Sequence, residues 1–361
     1  MIIDLKSIDL NSFNLKEGEI NGNKVFLVTP NDFSCEWTKD NLNLRSILVD
    51  ENGNILSKLF DKFFNLGEKP DLYPDPNNFN DWVLEDKVDG SLVGCSWIFN
   101  QFHARTRGTV SYKTLETSAD FDFVFNKYPN IESICRANPD DTFLFEIYQP
   151  NHKIILDYGK EPELFFLGFI HKLTNLYYPP YSKEGEFIKS QIGCKSPEIY
   201  NLNGSLIEIA EQIKNWTGKE GCILKYNNNR NFIKIKSLEY LKLHKFKANA
   251  TLKNVLDMFF EYDLPDYLTF IDKLTKTFDE DCMKMVENYC KEVCDSYLHV
   301  LRKIYDLKQI VEENKDLDQK SYALKVLTNY KNDSSFLFQL RSKKELDQRS
   351  IKKIMERELN L

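Results

Sequence analysis

The sequence has no apolar run near the roughly 20 residues that a helix needs to cross a bilayer, so it does not predict a membrane protein. Its opening residues, MIIDLKSIDLNSF, also lack the basic-then-apolar order of a signal peptide. No glycine-rich GxxxxGK[ST] loop is present, which excludes nucleotide binding of the P-loop type. We therefore expect a cytosolic protein that does not use a P-loop.

Histidines and cysteines are few and poorly placed for metal or acid–base chemistry. The five histidines are isolated along the chain, and none lies at a metal-ligand spacing from another. The nearest cysteines, Cys282, Cys290 and Cys294, are separated by helical spacings rather than by a CxxC pair. We interpret the eight cysteines as reduced thiols of the core.

The composition is that of a folded globular protein, with 42% hydrophobic and 29% charged residues. A length of 361 residues favours two domains. The net charge of -7 argues against a surface coated with cations for non-specific nucleic-acid binding. One stretch nevertheless predicts a surface that attracts anions, because a single acid, Glu239, accompanies seven cations: Lys225, Arg230, Lys234, Lys236, Lys242, Lys245 and Lys247.

The pattern of apolar residues divides the chain into two parts. Up to about residue 240, short apolar runs such as KVFLV, RSILV and TFLFEIYQ are separated by turn residues, with helical patterns in SADFDFVFNKY and SLIEIAEQIKNW. Beyond about Thr251, apolar residues recur at three-to-four spacing over long stretches. We predict an α+β fold: an antiparallel-sheet domain over residues 1–246, followed by an all-helical domain over 247–361.

The segment EDKVDGSL, residues 85–92, places a lysine two residues before an Asp-Gly pair. By itself, Lys-x-Asp-Gly is a weak signal, and a solvated hairpin turn explains it equally well. The segments that follow it are more specific: TRGT at 106–109, LFEIY at 144–148, FFLGF at 165–169, EGCILKY at 220–226 and KIK at 234–236.

In this order, these segments resemble the motif set of the covalent nucleotidyltransferases. The segments LRSILVDENGN, DKFFNLGE, EDKVDGSLV, KEGCILKY and FIKIKS are most similar to those of the phage RNA ligase 1 family. The resemblance implies an antiparallel-sheet nucleotidyltransferase domain of the ATP-grasp-like ligase type. It also implies an ATP-dependent RNA ligase that forms a covalent Lys87–AMP intermediate.

The chemistry of that step needs an unprotonated lysine, yet free lysine has a pKa of about 10.4. Lys234 and Lys236 are two residues apart on a predicted strand, so they should share one face. We predict that these two cations lower the pKa of Lys87 and neutralise phosphate charge. The alternative is a lysine-rich strand at an exposed sheet edge.

The resemblance assigns further residues to the ATP site. Arg45 and Lys62 match positions that hold the triphosphate, Glu146 one that contacts the ribose or the metal, and Glu220 one that assists phosphoryl transfer. Arg107 stands where the family has a lysine, which keeps the charge but changes its geometry. Each of these residues could instead be an ordinary charged residue at a strand end or on the surface.

The resemblance also implies Mg²⁺, and Asp266 in EYDLPDYL lies near acids that the family uses for a metal. The alternative for Asp266 is a helix N-cap. Phe165 and Phe166 could form an adenine platform, but core packing is the favoured interpretation. In the helical part, the stretch at 314–326 resembles the family's carboxyl-terminal domain, which favours broken tRNA anticodon loops.

We therefore predict an RNA ligase with ATP and Mg²⁺ as cofactors and RNA as partner. A monomer is expected, located in the cytoplasm of the host if a phage encodes it. DNA ligase and mRNA-capping guanylyltransferase are the alternatives that share the lysine motif, but these usually append an oligonucleotide-binding barrel where helices follow here. A catalytically inactive RNA-binding protein is the alternative from another class.

Overall fold

A computed structural model describes residues 2–31, 34–248, 251–263, 266–275 and 280–361 of the chain, without the side chains of 245–248, 280–282 and 284–285. The chain forms two units, Met1–Lys242 and Leu243–Leu361. The division falls inside one helix, as does the boundary after residue 246 that the sequence predicts.

The first unit is built on three sheets. The first sheet contains four antiparallel strands in chain order: β1 (Phe13–Ile20), β2 (Asn23–Pro30), β3 (Ile47–Asp50) and β4 (Ile55–Lys58). The remaining strands are β5 (Phe64–Asn65), β6 (Val83–Asp86), β7 (Ser91–Ile98), β8 (Gln101–Thr106), β9 (Asp141–Tyr148), β10 (Glu163–His171), β11 (Leu176–Tyr178), β12 (Ile199–Tyr200), β13 (Gly221–Tyr226) and β14 (Asn231–Lys236).

The other two sheets carry the residues of the predicted ATP site. The second sheet has the order β11-β10-β9-β7-β8, and the third has the order β12-β6-β13-β14-β5. All neighbours are antiparallel except β14 and the short strand β5, which run parallel. The chain passes from β6 in the third sheet to β7 in the second through residues 87–90, so the Lys-x-Asp-Gly segment links two sheets.

Helices cover the sheets of this unit: α1 (Ser118–Lys127), α2 (Asn130–Ala137), α3 (Lys183–Ile192), α4 (Leu206–Lys214) and the start of α5 (Leu238–Ala248). Ser205 begins α4 with a capping box, in which its side chain and that of Glu208 bond to each other's backbone N–H. Short 3-10 helices are Leu5–Ser7, Leu42–Arg45, Pro70–Leu72, Pro76–Asn78, Tyr112–Thr114 and Pro150–His152.

The second unit is helical throughout its described residues. Its elements are α6 (Leu252–Glu261), α7 (Tyr267–Thr275), α8 (Glu280–Glu313), α9 (Gln319–Asn329), the 3-10 helix Lys331–Asp333, α10 (Ser334–Lys343) and α11 (Gln348–Glu358). Helices α6, α7, α10 and α11 pack against the long helix α8. Their shared core includes Phe259, Phe270, Val293 and Leu337, as expected for a helix with an apolar stripe.

The fold class predicted from the sequence, antiparallel sheets followed by helices, is confirmed. The helical patterns in SADFDFVFNKY and SLIEIAEQIKNW correspond to α1 and α4. Six of the described cysteines are buried free thiols and Cys35 is half-buried, while the side chain of Cys282 lies outside the described residues. No helix in the described part of the chain is both long and apolar enough to span a bilayer.

Candidate active site

A cavity of about 650 Å³ opens between the second and third sheets of the first unit. This volume lies within the usual range for small-molecule sites. The cavity brings together residues that are far apart in the sequence: Arg45, Lys87, Arg107, Glu146, Lys234 and Lys236. Its two ends differ in the charges that surround their lysines.

Lys87 follows β6 and is fixed at both its backbone and its side chain. Its backbone N–H donates to the carbonyl of Gly221 (3.0 Å), and its Nζ donates to Glu220 Oε2 (2.8 Å). The other oxygen of Glu220 lies 2.9 Å from Nζ of Lys236. Glu220 is 1% exposed, whereas the side chain of Lys87 keeps 22% of its surface exposed. One buried carboxylate therefore bridges two accessible lysines.

The Asp-Gly pair after Lys87 is not the solvated hairpin turn that the isolated motif allowed. Asp89 is buried, and its Oδ2 accepts hydrogen bonds from the backbone N–H groups of Ile155 (2.7 Å) and Leu156 (2.8 Å). Its Oδ1 accepts from the hydroxyl of Tyr240 (2.8 Å). The aspartate thus fastens the lysine segment to a distant loop and to the start of α5.

Gly90 is required by a close approach of the backbone. A Cβ atom at this position would lie 2.5 Å from the carbonyl oxygen of Ile147 and 3.0 Å from Cγ of Glu146. Any other residue would have to push β9 away from the lysine segment. Close packing therefore explains the glycine of the Lys-x-Asp-Gly motif. The absence of a side chain at Gly90 lets Glu146 lie close to the segment that carries Lys87.

The pKa of Lys87 corrects one prediction. Burial favours a lower pKa, but the negative charges of Glu220 and Glu146 outweigh it and raise the pKa above the usual lysine value. The prediction that Lys234 and Lys236 lower this pKa is therefore wrong for the free protein. The reason is the carboxylate of Glu220, which lies between Lys87 and Lys236.

The opposite end of the cavity is dominated by cations. Burial lowers the pKa of Lys234 to about 7, with further contributions from the positive charges of Arg45 and Lys62. Lys234 Nζ lies 4.9 Å from the ring centre of Phe63, and the Arg45 guanidinium lies 5.7 Å from the same ring. Burial and the charge of Arg107 lower the pKa of Arg45 to about 10. This end is suited to bind an anion.

The predicted shared face of the two lysines on β14 is confirmed. Ile233 and Ile235 are buried, whereas Lys234 and Lys236 alternate with them and line the cavity. The alternative of an exposed edge strand is wrong, because β14 lies between β13 and β5 in its sheet. The pattern of period two thus places both cations on the cavity side.

Glu146 on β9 is a carboxylate in a poorly solvated position. Burial raises its pKa to about 8, despite the opposing charge of Lys87. A divalent cation that prefers oxygen ligands would stabilise the ionised form of such a group. Glu146 therefore fits a metal ligand, although no cluster of three or more potential ligands occurs among the described residues.

Arg105 is a structural residue of the site that the sequence pattern did not predict. Its guanidinium is fully buried and donates to the Oγ atoms of Ser46 (2.7 Å) and Ser57 (3.1 Å), to their backbone carbonyls (both 3.1 Å), and to the carbonyl of Thr106 (3.2 Å). Ser46 in turn donates from Oγ to the carbonyl of Arg107 (2.8 Å). Arg105 therefore supports both the segment after Arg45 and the turn that carries Arg107.

Lys225 is a second correction, because it does not belong to an exposed basic surface. It is buried, and its Nζ donates to Glu85 Oε1 (2.6 Å) and to the Tyr177 hydroxyl (2.7 Å). Burial lowers the pKa of this lysine and raises that of Glu85. Both residues line the cavity. Of the other cations in that stretch, the side chains of Lys245 and Lys247 lie outside the described residues.

The remaining predicted residues lie elsewhere. Lys62 borders a neighbouring cavity, and its Nζ lies 5.6 Å from the Trp37 ring and 5.1 Å from that of Phe64. Asp266, in the second unit, is exposed and caps α7 by accepting from the backbone N–H (3.1 Å) and hydroxyl (2.8 Å) of Thr269. The structure gives its metal role no support.

Phe165 and Phe166 pack in the core, as the favoured interpretation held. The phenylalanines that line the cavity are instead Phe60, Phe63, Phe121 and Phe232. Spacing alone could not identify them, because Phe63 and Phe232 reach the cavity from different elements. A charged residue within an apolar run, such as Glu85 in WVLED or Lys225 in ILKY, is the signal that could have shown the buried ion pair.

Comparison with known proteins gives the family. The family model described as "RNA ligase", of the phage RNA ligase 1 type, matches residues 43–251. That range contains the lysine motif and the segments that follow it up to KIK. The match favours RNA ligase over the DNA ligase and guanylyltransferase alternatives.

The individual proteins that are similar to this chain have low sequence identity to it. A protein of Autographa californica nuclear polyhedrosis virus, described as a bifunctional polynucleotide kinase/RNA ligase, is 28% identical over 56% of this chain. This chain spans only 31% of that protein's length. An RNA ligase of Rhodothermus phage RM378 is 22% identical, covering 85% of this chain and 82% of its own length.

Among solved structures, an archaeal ATP-dependent RNA ligase has a TM-score of 0.48 and 15% identity, over 81% of this chain and 76% of that one. This likeness is too weak to support an argument about function. The assignment rests instead on the family model, which covers more than half of the sequence and every strand from β3 to β14. The chain therefore belongs to the RNA ligase family of the phage RNA ligase 1 type.

Proposed function

We propose that this protein is an ATP-dependent RNA ligase that joins RNA 5′-phosphate and 3′-hydroxyl ends through a Lys87–AMP intermediate. The observation that carries the proposal is the pairing of Lys87 with Glu220 in a cavity whose other end holds Arg45 and Lys234. An accessible amine, a proton acceptor at 2.8 Å and a cationic end for phosphates are what lysine adenylylation requires.

The reaction has three phosphoryl-transfer steps. Nζ of Lys87 attacks the α-phosphorus of ATP, a P–N bond forms, and pyrophosphate leaves. An oxygen of the RNA 5′-phosphate then attacks the same phosphorus and releases Lys87, which gives adenylylated RNA. Finally, the RNA 3′-hydroxyl attacks the 5′-phosphorus, forms the phosphodiester bond and displaces AMP. Each attack is in line with the departing group.

The residues of the cavity divide this work. Glu220 already accepts a hydrogen bond from Lys87 and is the nearest acceptor for the proton that the amine must lose. Arg45, Arg107, Lys234 and Lys236 supply positive charge for the phosphates. Glu146 would hold Mg²⁺, which neutralises phosphate charge when bound. ATP and Mg²⁺ are thus the cofactors of the proposal.

Labelled nucleotides test the proposal directly. The purified protein, incubated with Mg²⁺ and labelled ATP, GTP or NAD in separate reactions, should retain label covalently from ATP alone. Added RNA with a 5′-phosphate should then discharge the label and yield joined product. Transfer from GTP would indicate a capping guanylyltransferase, and absence of any covalent label would indicate a catalytically inactive RNA-binding protein.

We also propose that the helical second unit directs the enzyme to broken tRNA anticodon loops, acting as a monomer in the cytoplasm. This rests on the resemblance of the stretch at 314–326 to the carboxyl-terminal domain of the family. A helical add-on can select folded RNA by shape. The full chain should join a nicked tRNA stem-loop faster than a single strand of the same end sequence; equal rates on both would remove the tRNA-repair proposal.

A further inference from the structure

A second cavity of about 620 Å³ adjoins the one that contains Lys87. Phe60, Phe63 and Phe232 line both cavities, so these aromatic side chains form the wall between them. The rings pack edge to face, with centroids 5.5 to 6.3 Å apart. Lys87 lines the first cavity and not the second.

The second cavity is cationic on balance. Its positively charged lining residues are Lys39, Lys62 and Arg230. Of its two acids, Asp61 is already paired with the buried Lys58 (2.8 Å), and Asp40 is exposed. Lys39 and Arg230 are exposed, and neither has an acidic partner within the described part of the chain. Both are therefore available to an anion from solution.

Arg230 is presented by a turn that the protein holds in place. Asn227, Asn228 and Asn229 all have left-handed backbone conformations, with φ of 57°, 52° and 58°, a strained run that asparagine tolerates better than most residues. The Asp81 carboxylate accepts from the backbone N–H of Asn227 (3.0 Å) and of Asn228, which stabilises the turn. The turn thus fixes the backbone position from which the side chain of Arg230 extends.

The rest of the lining is suited to nucleotides rather than to a simple anion. The lining includes the half-buried rings of Phe63, Tyr73 and Phe232, together with the side chains of Asn228 and Asn231. Aromatic faces stack on bases, and amides hydrogen-bond to base edges and to the 2′-hydroxyl. Together with the cations, this is the chemistry that binds a single-stranded RNA.

We propose that the second cavity binds the RNA strand that carries the 5′-phosphate, an inference that rests on the proposed ligase function. When the 5′-phosphate attacks Lys87–AMP, Lys87 is the leaving group, so the phosphate must approach from the side opposite Lys87. Pyrophosphate leaves on that same side in the first step. The second cavity adjoins the first at Phe63, the ring that also contacts Lys234 and Arg45, so it lies beside the cations of the first cavity and offers the strand further positive charge there.

The test compares a Lys39→Ala/Arg230→Ala variant with a control variant, Lys214→Ala/Arg136→Ala, which removes the same kinds of charge from positions on α4 and α2 that line neither cavity. Each full-length protein is charged with ATP, and its Lys87–AMP yield is measured. The purified adenylylated protein is then mixed with labelled single-stranded RNA bearing a 5′-phosphate. RNA affinity is followed by fluorescence anisotropy over a range of salt concentrations, and AMP transfer by single-turnover kinetics.

We expect normal adenylylation in both variants. In Lys39→Ala/Arg230→Ala alone, the RNA dissociation constant should rise roughly tenfold, and the salt dependence should weaken by about 0.7 in log–log slope for each RNA phosphate that the variant no longer neutralises. Wild-type affinity and transfer in that variant would overturn the inference. So would an equal loss of adenylylation, since the cavity would then serve the triphosphate. Failure of the wild type to form Lys87–AMP would instead overturn the ligase proposal, and anisotropy with the uncharged wild type and variant would still decide RNA binding.

Discussion

The two ends of the active-site cavity treat a lysine in opposite ways. At one end, Glu220 and Glu146 raise the pKa of Lys87 above its usual value. At the other end, burial together with Arg45 and Lys62 lowers the pKa of Lys234 to about 7. Burial acts in the same direction on both lysines, so the sign of the neighbouring charges decides the outcome.

The difference separates two roles that the sequence could not distinguish. A lysine held by a carboxylate is positioned and has a proton acceptor beside it, but it must lose a proton before it can attack. A lysine among cations is partly neutral near pH 7 and gains a proton when phosphate charge arrives. The free protein thus has a nucleophile end and an anion-binding end, and the following substitutions test that division.

The largest effect is expected from Lys87→Arg. This change keeps a positive charge opposite Glu220, but a guanidinium stays protonated and does not act as the nucleophile. Formation of the protein–AMP adduct, measured with labelled ATP, should fall to background. Lys214→Ala changes a half-buried lysine on α4 that does not line the cavity, so it serves as the control and should form normal adduct. An adduct of ordinary yield in Lys87→Arg would mean that another residue is the nucleophile.

Substitution of either lysine of β14, Lys234 among the cations or Lys236 beside Glu220, should slow the reaction without abolishing it. Lys234→Ala and Lys236→Ala should each reduce the rate of adenylylation tenfold or more, if each supplies at least about 1.4 kcal/mol in the transition state. Ligation should fall at least as far. Rates equal to those of wild type in both variants would show that the cations of β14 do not act on the triphosphate.

These two groups of residues show what the sequence could and could not predict. The periodicity of NFIKIK placed Lys234 and Lys236 on one face, because alternation along a strand is a local property. The bond between Lys87 and Glu220 joins residues 133 positions apart, and it depends on how β6 packs beside β13. The family resemblance identified both residues, but the local sequence could not predict which charges surround them.

The environment of Lys225 also depends on tertiary packing that the local sequence does not predict. A lysine near other lysines in the sequence predicts a basic surface, but β13 turns this one inward toward Glu85 on the adjacent strand. Arg105 shows the limit more strongly, since its partners Ser46 and Ser57 belong to another part of the fold, at the first sheet. Interactions between sheets are set by tertiary packing, which strand patterns do not encode.

A smaller effect concerns the pH dependence of adenylylation. Lys87 attacks as the neutral amine, which becomes more abundant as pH rises, so the wild-type rate should increase with pH. The negative charge of Glu220 raises the pKa of Lys87 and so moves this increase to higher pH. Glu220→Gln removes the negative charge, so the pKa of Lys87 should fall and the rise should begin at lower pH. The pre-steady-state rate across a pH series measures this. An unchanged profile would show that Glu220 does not control the protonation of Lys87.

The smallest expected effect is the uptake of a proton by Lys234 when pyrophosphate binds. At pH 8, Lys234 is mostly neutral, since its pKa is about 7, and the negative charge of pyrophosphate should raise that pKa and protonate it. Metal-free pyrophosphate should therefore bind with net proton uptake at pH 8 and with much less at pH 6. Calorimetry in buffers of different ionisation enthalpy measures the uptake.

Lys234→Met should remove the uptake, while Lys214→Ala should keep it. Glu146, whose pKa is about 8, also titrates in this range, so Glu146→Gln is the second control and should retain the uptake from Lys234. Uptake that survives in Lys234→Met would assign the proton to another group and would weaken the contrast between the two ends.

The location of the AMP tests most directly whether Lys87 is the nucleophile. The wild-type protein is incubated with ATP and Mg²⁺, digested, and its peptides are mapped by mass spectrometry under conditions that preserve acid-labile phosphoramidates. We expect one modified residue, Lys87, and no modified peptide from Lys87→Ala treated in the same way. AMP on Lys234, Lys236 or any other lysine, or an adduct that persists in Lys87→Ala, would contradict this expectation.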